Sequence, residues 1–290
     1  MVANSLILPI YRAEAFLQKT LARLDPYLAQ EPGKWELILV VDSSTDRSAE
    51  ICQNFAAEEH PFLVKVIVNE QNQGKGASVR RGMLAASGAY RIFTDCDLPY
   101  ALEDIDHLLD QLKNGAMVAV ASRVHPDSRY TIGARDLRYL HTRHLMSRLF
   151  NRLVRWFILP GCNDTQAGLK GFRKEAADYL FSEQRLTGFS FDLELLHLAH
   201  QAGWPLVEIP IHYQYQEEPT TVDFASDALR MLCDMFRIRY GSASGRYQPF
   251  RRKQTKLIIH ADDFGLNDGI TDGILEAIAQ GRVTSTSALV

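Results

Sequence analysis

Short runs of aliphatic and β-branched residues recur along the chain: Ser5 to Pro9, Trp35 to Val41, Leu63 to Asn69, Tyr90 to Thr94 and Ala116 to Ala121. The segments between them place apolar residues at near-helical spacing, as in Ala15 to Leu28 and Leu102 to Leu112. Strands that are apolar throughout are buried on both faces. A helix between two of them carries the chain back across the sheet, so the strands pair in parallel. The alternation predicts an α/β domain, a mostly parallel sheet with helices on both faces. Ligands of such sheets bind beyond the carboxyl ends of the strands, so the loops that follow strands are where chemistry is expected.

A chain of 290 residues with 46% hydrophobic content can bury a full core. Its net charge of -3 argues against a nucleic-acid coat, which needs a large overall basic excess, so no nucleic-acid partner is expected and any basic site is local. Cys52, Cys96, Cys162 and Cys233 form no CxxC pair and read as reduced thiols. No leader pattern opens the chain, and no apolar run reaches the roughly 18 residues of a membrane span. The expected location is cytoplasmic, with binding at a membrane surface left open.

The loop motifs carry the chemistry. In Phe93 to Pro99 (FTDCDLP) an apolar strand runs into two acids, and an extended chain there would point Asp95 and Asp97 the same way. Two convergent carboxylates suit Mg²⁺ or Mn²⁺, which take oxygen ligands and leave positions for substrate phosphates. Acids two apart at a strand end also serve as turn residues or helix caps. Leu39 to Asp46 (LVVDSSTD) is a second strand ending in an acid, Asp42, which can accept hydrogen bonds from a base or ribose or cap a helix. Asn72 to Gly76 (NQGKG) opens a helix that runs through Arg80 and Arg81, placing Gly74 and the Lys75 ammonium where a phosphate would bind.

In this order and spacing the motifs resemble glycosyltransferase family 2, whose GT-A fold is Rossmann-like. Pro9, Tyr11 and Glu14 (LPIYRAE) are similar to its first-strand motif, with Arg12 in place of the usual asparagine. Asp42 and Asp46 match its nucleotide-contacting loop, with Ser43 in place of a second aspartate, and Asp95 and Asp97 match its metal-binding pair. Ala121 to Arg123 (ASR), Phe150 to Val154 (FNRLV), Asp164 to Phe172 (DTQAGLKGF) and Gly188 to Leu195 (GFSFDLEL) resemble polyprenyl-phosphate and dolichol-phosphate mannose or glucose synthases. The resemblance implies a nucleotide-sugar donor of UDP-glucose or GDP-mannose type and a polyprenyl-phosphate acceptor. It also implies an inverting displacement, with Asp164 and Gln166 near the reacting centre and Arg123 near phosphates. Other readings stay open: a non-lipid acceptor, a nucleotidyltransferase that releases pyrophosphate, or a non-catalytic membrane-surface protein.

Arg129, Arg135, Arg138, Arg143, Arg148, Arg152 and Arg155 face one acid, Asp136, while Leu145, Leu149, Leu153 and Phe157 recur every four residues. This reads either as a basic amphipathic helix at the cytoplasmic face of a membrane or as a solvated basic face packed on the core. Residues 1–240 are expected to form the transferase and 241–254 a linker. Residues 255–290 resemble the start of YdjC-like carbohydrate deacetylases, a short partial α/β fragment with Asp262 and Asp263 at a strand end. That segment lacks the later histidines of its family, so no deacetylase activity is expected.

Overall fold

The computed structural model describes residues 2–131, 154, 158–159, 161–214, 224–250, 260–264, 266–280 and 285–288. The basic amphipathic stretch and the FNRLV motif lie outside these residues, except for Arg129 and Val154. The chain divides into two compact units, Met1–Pro249 and Phe250–Val290.

The first unit is built on a seven-stranded sheet of order β3-β2-β1-β4-β7-β5-β8. Its strands are β1 (Asn4–Ile10), β2 (Trp35–Val41), β3 (Leu63–Val68), β4 (Tyr90–Phe93), β5 (Val118–Ser122), β7 (Lys170–Arg173) and β8 (Leu206–Pro210). A small pair, β6 (Arg129–Thr131) with β9 (His212–Gln214), lies apart from it. All pairings in the large sheet are parallel except those of β7, which runs antiparallel between β4 and β5. The sequence alternation did not signal that inserted strand.

Every residue of β1 and β2 is buried, and successive side chains enter opposite layers. Leu6, Leu8, Leu37 and Leu39 pack in one core cluster, with α1 (Glu14–Leu28) and α4 (Glu103–Lys113). Ile7, Ile38 and Val40 pack in the other, with α3 (Lys75–Ala85), α5 (Lys174–Glu183) and α6 (Phe191–Gln201). In α1 the buried Leu17, Leu21, Leu24 and Leu28 form the core-facing stripe of a 3.6-residue period. A shorter helix, α2 (Ser48–Ala57), follows β2, and a long one, α7 (Phe224–Ala243), follows β9.

α7 extends into the segment expected to link the two units, and the residues after it are fastened to the first unit. Tyr247 donates from its hydroxyl to Glu194, and the Gln248 amide donates to Glu183 Oε2 at 2.8 Å. The second unit pairs β10 (His260–Phe264) in parallel with β11 (Ser285–Ala288) across α8 (Asp268–Ala279), a single βαβ turn.

Candidate active site

The strand order reverses between β1 and β4, because β2 and β3 extend the sheet one way and β4 the other. Crevices for ligands open at the carboxyl ends of strands at such a point. Among the described residues, the non-glycine residues with positive φ are Arg12 (50°), Ser43 (50°) and Leu98 (45°). They fall in the loops that follow β1, β2 and β4. A side chain in this region costs about 1–3 kcal/mol, and such strain concentrates at functional sites.

The first two loops are clasped together by side chains. Ser44 Oγ accepts from the Arg12 amide at 2.9 Å and Ser48 Oγ from the Ala13 amide at 3.0 Å. Asp46 caps two helices, accepting from the Glu14 amide and from the Ser48 amide, each at 3.1 Å. Glu14 returns the clasp by accepting from the Arg47 amide at 3.0 Å and from Arg47 Nε at 2.7 Å. These bonds from Arg47 lower the Glu14 pKa. Burial alone would raise the pKa of Asp46, but its bonds from Ser48 and Glu14 outweigh that and lower it. Pro9 is buried in β1 opposite Val40, and Tyr11 stands half-buried just beyond the strand, with the Arg12 guanidinium 5.2 Å from its ring centre.

Asp42 follows β2 and is held by the loop that follows β3. It is 3% exposed, and it accepts from Asn69 Nδ2 at 2.7 Å, the Gln73 amide at 2.9 Å and the Gly74 amide at 2.8 Å. Two carboxylate oxygens offer about four acceptor positions, and two of them hold the NQGKG loop through Gln73 and Gly74. Gly74 has φ of 93°, and a Cβ on it would stand 2.6 Å from the Thr187 carbonyl oxygen, so both backbone and packing require glycine.

The paired acids follow β4. The chain is not extended across them: β4 ends at Phe93, and the Leu98 amide bonds back to the Asp95 carbonyl at 3.1 Å, closing a turn. Strand alternation therefore does not set the directions of Asp95 and Asp97. The turn is fixed by Thr20, whose hydroxyl donates to the Cys96 carbonyl at 2.7 Å. Asp95 Oδ1 lies 2.5 Å from Lys75 Nζ. Burial alone would lower the Lys75 pKa, but the charges of Asp95, Asp192 and Asp97 raise it to about 12.

Opposite this turn, Asp164 is 1% exposed and forked by one arginine. Arg123 Nε donates to Oδ2 at 2.7 Å, its second guanidinium nitrogen to Oδ1 at 2.8 Å, and its amide to Oδ2 at 2.9 Å. Burial raises the Asp164 pKa, but the Arg123 charge and bonds prevail and hold it below the usual carboxylate range. Gln166 Nε2 meets Met231 Sδ of α7 at 3.6 Å. The chain then passes Asp95 so closely that a Cβ on Gly168 would fall 1.9 Å from Asp95 Oδ2.

Residues 5–181 match the family described as Glycosyl transferase family 2. The chain belongs to this family. Residues 256–290 match YdjC-like protein. The glycosyltransferase is 26% identical over 245 residues to a dolichyl-phosphate beta-glucosyltransferase of Dictyostelium discoideum, covering 81% of this chain and 73% of that one. It is 30% identical over 263 residues to the Drosophila melanogaster dolichyl-phosphate beta-glucosyltransferase, covering 86% and 79%. Its fold is similar to a glucosyl-3-phosphoglycerate synthase of Mycobacterium tuberculosis solved with Mn²⁺, UDP-glucose and phosphoglyceric acid. The TM-score is 0.55 at 16% identity, over 84% of this chain and 80% of that one. The sheet and its flanking helices are those of the GT-A fold.

The glycosyltransferase thus holds Lys75, Asp95, Asp97, Arg123, Asp164 and Gln166 on the DCD turn and the loops around it, while Glu14, Asp42 and Asp46 brace the loops that follow β1, β2 and β3, and Pro9 is buried within β1. Sequence reasoning missed three residues here. Tyr100 is buried, and its hydroxyl accepts from the Gly168 amide at 2.6 Å, joining the acid turn to the Asp164 loop. Lys170 and Asp192 are buried beneath the site, with Nζ 2.7 Å from Oδ1 and 5.5 Å from the Phe93 ring centre. Burial raises the Asp192 pKa despite the two neighbouring lysines. Both lie within the motifs DTQAGLKGF and GFSFDLEL, but nothing local reveals that they meet.

Among the described residues no group of three or more His, Cys, Asp or Glu side chains forms a metal cage. A hard dication does not need one: one or two carboxylates suffice when a diphosphate and water supply the other oxygens. Asp95 and Asp97 have that donor chemistry, and the site fits such an ion.

Proposed function

We propose that this glycosyltransferase moves a hexose from a UDP-glucose or GDP-mannose type donor to a polyprenyl phosphate, with inversion, at the cytoplasmic face of a membrane. The observation that carries the acceptor class is the state of Asp164. Buried, forked by Arg123 and held as a carboxylate below its ordinary pKa, it is a poor proton acceptor. A sugar hydroxyl would need a general base. A phosphate monoester has its second pKa near about 6, so it arrives as an anion and needs none. Asp164 then acts by aiming Arg123, whose guanidinium attracts the phosphate.

Asp95 and Asp97 would hold Mg²⁺ or Mn²⁺, which when bound neutralises charge on the donor diphosphate. Lys75 adds a cation beside Asp95 that is fully protonated at neutral pH, suited to the charge that develops on the departing nucleotide. Tyr11 stands at the mouth of β1, where a base can rest on its ring. Relatives described as dolichyl-phosphate beta-glucosyltransferases favour glucose as the sugar, and the Mn²⁺ and UDP-glucose bound to the similar synthase favour a metal-assisted UDP donor.

Contact with a membrane is supported by α7. Phe236 and Tyr240, one turn apart, are 64% and 67% exposed, and Arg237 and Arg239 are exposed beside them. Aromatic rings flanked by arginines suit an anionic lipid surface. No helix among the described residues is long and apolar enough to cross a membrane. In this reading residues 1–240 carry the transfer, and 255–290 have no step in it.

The test is incubation with UDP-glucose, GDP-mannose and related donors, polyprenyl phosphate and Mg²⁺ or Mn²⁺, with products identified by mass spectrometry. Glycosylated polyprenyl phosphate with release of a nucleoside diphosphate is expected, and chelation should stop it. Release of pyrophosphate, or transfer to soluble sugars alone, would overturn the assignment.

A further inference from the structure

We infer that Glu194 is a positioning residue for Lys75, acting through residues 185–187, and that the segment after α7 completes its geometry through Tyr247. The inference rests on the reading of Lys75 as the donor-side cation. Glu194 sits in the first turn of α6 with no exposed surface. Its Oε1 accepts from the Arg185 amide at 3.1 Å and the Tyr247 hydroxyl at 2.8 Å. Its Oε2 accepts from the Arg185 amide at 3.0 Å and the Leu186 amide at 2.8 Å. A carboxylate is acceptor-only, so it fits three converging donors as no neutral side chain of its size can.

The loop so held clamps the start of α3 on both sides of Lys75. The Thr187 carbonyl accepts from the Ala77 amide at 3.3 Å, and it stands 2.6 Å and 2.9 Å from where Cβ atoms on Gly74 and Gly76 would be. The Phe191 Cβ lies 2.7 Å from that same point on Gly76, and Gln184 Nε2 donates to the Gly76 carbonyl at 2.9 Å. The loop lies where no side chain fits at Gly74 or Gly76, so it packs directly on the α3 backbone, and a close-packed interior transmits displacement rather than absorbing it. Movement of residues 185–187 therefore moves Lys75, whose Nζ is 2.5 Å from Asp95 Oδ1.

Tyr247 is itself anchored. The Arg185 guanidinium lies 5.7 Å from its ring centre, and the neighbouring Gln248 carbonyl accepts from the Tyr179 hydroxyl at 2.9 Å. The exit of α7 is thereby joined to the donor site through one buried carboxylate. Glu194 bonds to Arg185, Leu186 and Tyr247 rather than to Lys75 or Asp95, so the effect expected is on geometry.

The experiment compares the full chain with Glu194→Gln and Tyr247→Phe by hydrogen–deuterium exchange and by donor kinetics. In Glu194→Gln the amide group faces backbone donors and leaves at least one unsatisfied. Tyr247→Phe keeps the ring and removes one bond, and it carries the test alone if the first variant does not fold. Peptides spanning 73–78 should exchange several-fold faster together with 185–187, and kcat/KM for the donor should fall about tenfold. In a Lys75→Ala background the same substitutions should cost no further activity. Faster exchange confined to 185–187, or losses that multiply in the double variant, would overturn the inference. Coupled exchange in a protein whose parent transfers no sugar would instead reject the donor reading and leave the relay standing.

Discussion

Lys75 and Asp95, twenty residues apart and on different elements, form an ion pair of 2.5 Å at the carboxyl end of β4. The pair places a permanent cation against one oxygen of the acid expected to bind metal. Lys75→Ala should reduce kcat/KM by about a hundredfold or more, the scale found when one preorganised charge-stabilising donor is removed. The thermal midpoint should change little, because the Lys75 side chain is part-exposed and makes no other ion pair among the described residues. Steady-state kinetics beside a melting curve checks both.

Gly168→Ala tests the close approach of the Asp95 carboxylate. The added methyl would overlap Oδ2 at 1.9 Å, so Asp95 must leave its position. Turnover should fall at least tenfold, and the Mn²⁺ concentration giving half-maximal rate should rise. An unaltered metal requirement would show that Asp95 is not a ligand.

Arg123→Ala leaves Asp164 buried without its counter-ion, a change that costs about 3–5 kcal/mol when a buried pair is broken. Arg123→Lys should recover only part of this, because an ammonium cannot reproduce the two-pronged contact. Urea unfolding gives the stabilities. Both variants should also lose transfer to polyprenyl phosphate while retaining nucleotide binding.

Glu36, at the far end of β2 from the site, should govern acid sensitivity. It is fully buried. Burial by itself raises its pKa, but Lys65, Ser5 and Ser87 outweigh it and lower the value from 4.5 to about 2. A depressed pKa means that the stabilisation is complete above the unfolded value and is lost as pH falls through the folded one. Wild type should thus lose its advantage over Glu36→Gln between pH 4.5 and about 2, as chemical denaturation at a series of pH values would reveal.

The exposed aromatics of α7 give a test of membrane contact. Replacing Phe236 and Tyr240 by serine should reduce sedimentation with anionic vesicles several-fold and leave the melting temperature within a few degrees, since both rings are mostly solvent-facing. Equal vesicle binding by the double variant would count against α7 as the contact surface.

The layered α/β class was legible along the chain, because fully apolar strands and amphipathic helices are local periodicities. The sequence also placed the candidate motifs in the fold, since DCD follows the end of β4 and NQGKG opens α3. The partners of each polar group there come from the folded chain. Asp42 reads in sequence as a nucleotide contact or a helix cap, and the fold brings Gln73 and Gly74, more than thirty residues away, to donate to its carboxylate. Asp46 serves as a cap for two helices, and Asp164 is locked by an arginine 41 residues earlier. β7 went unseen because its sequence, KGFR, holds a single large apolar residue and so shows no strand-like run, and its antiparallel direction is set by neighbours on both sides. Tyr100, Lys170, Asp192 and Glu194 gained their roles the same way. Burial and hydrogen-bond partners are long-range properties, and a one-dimensional pattern states which groups are present without stating which of them are already satisfied.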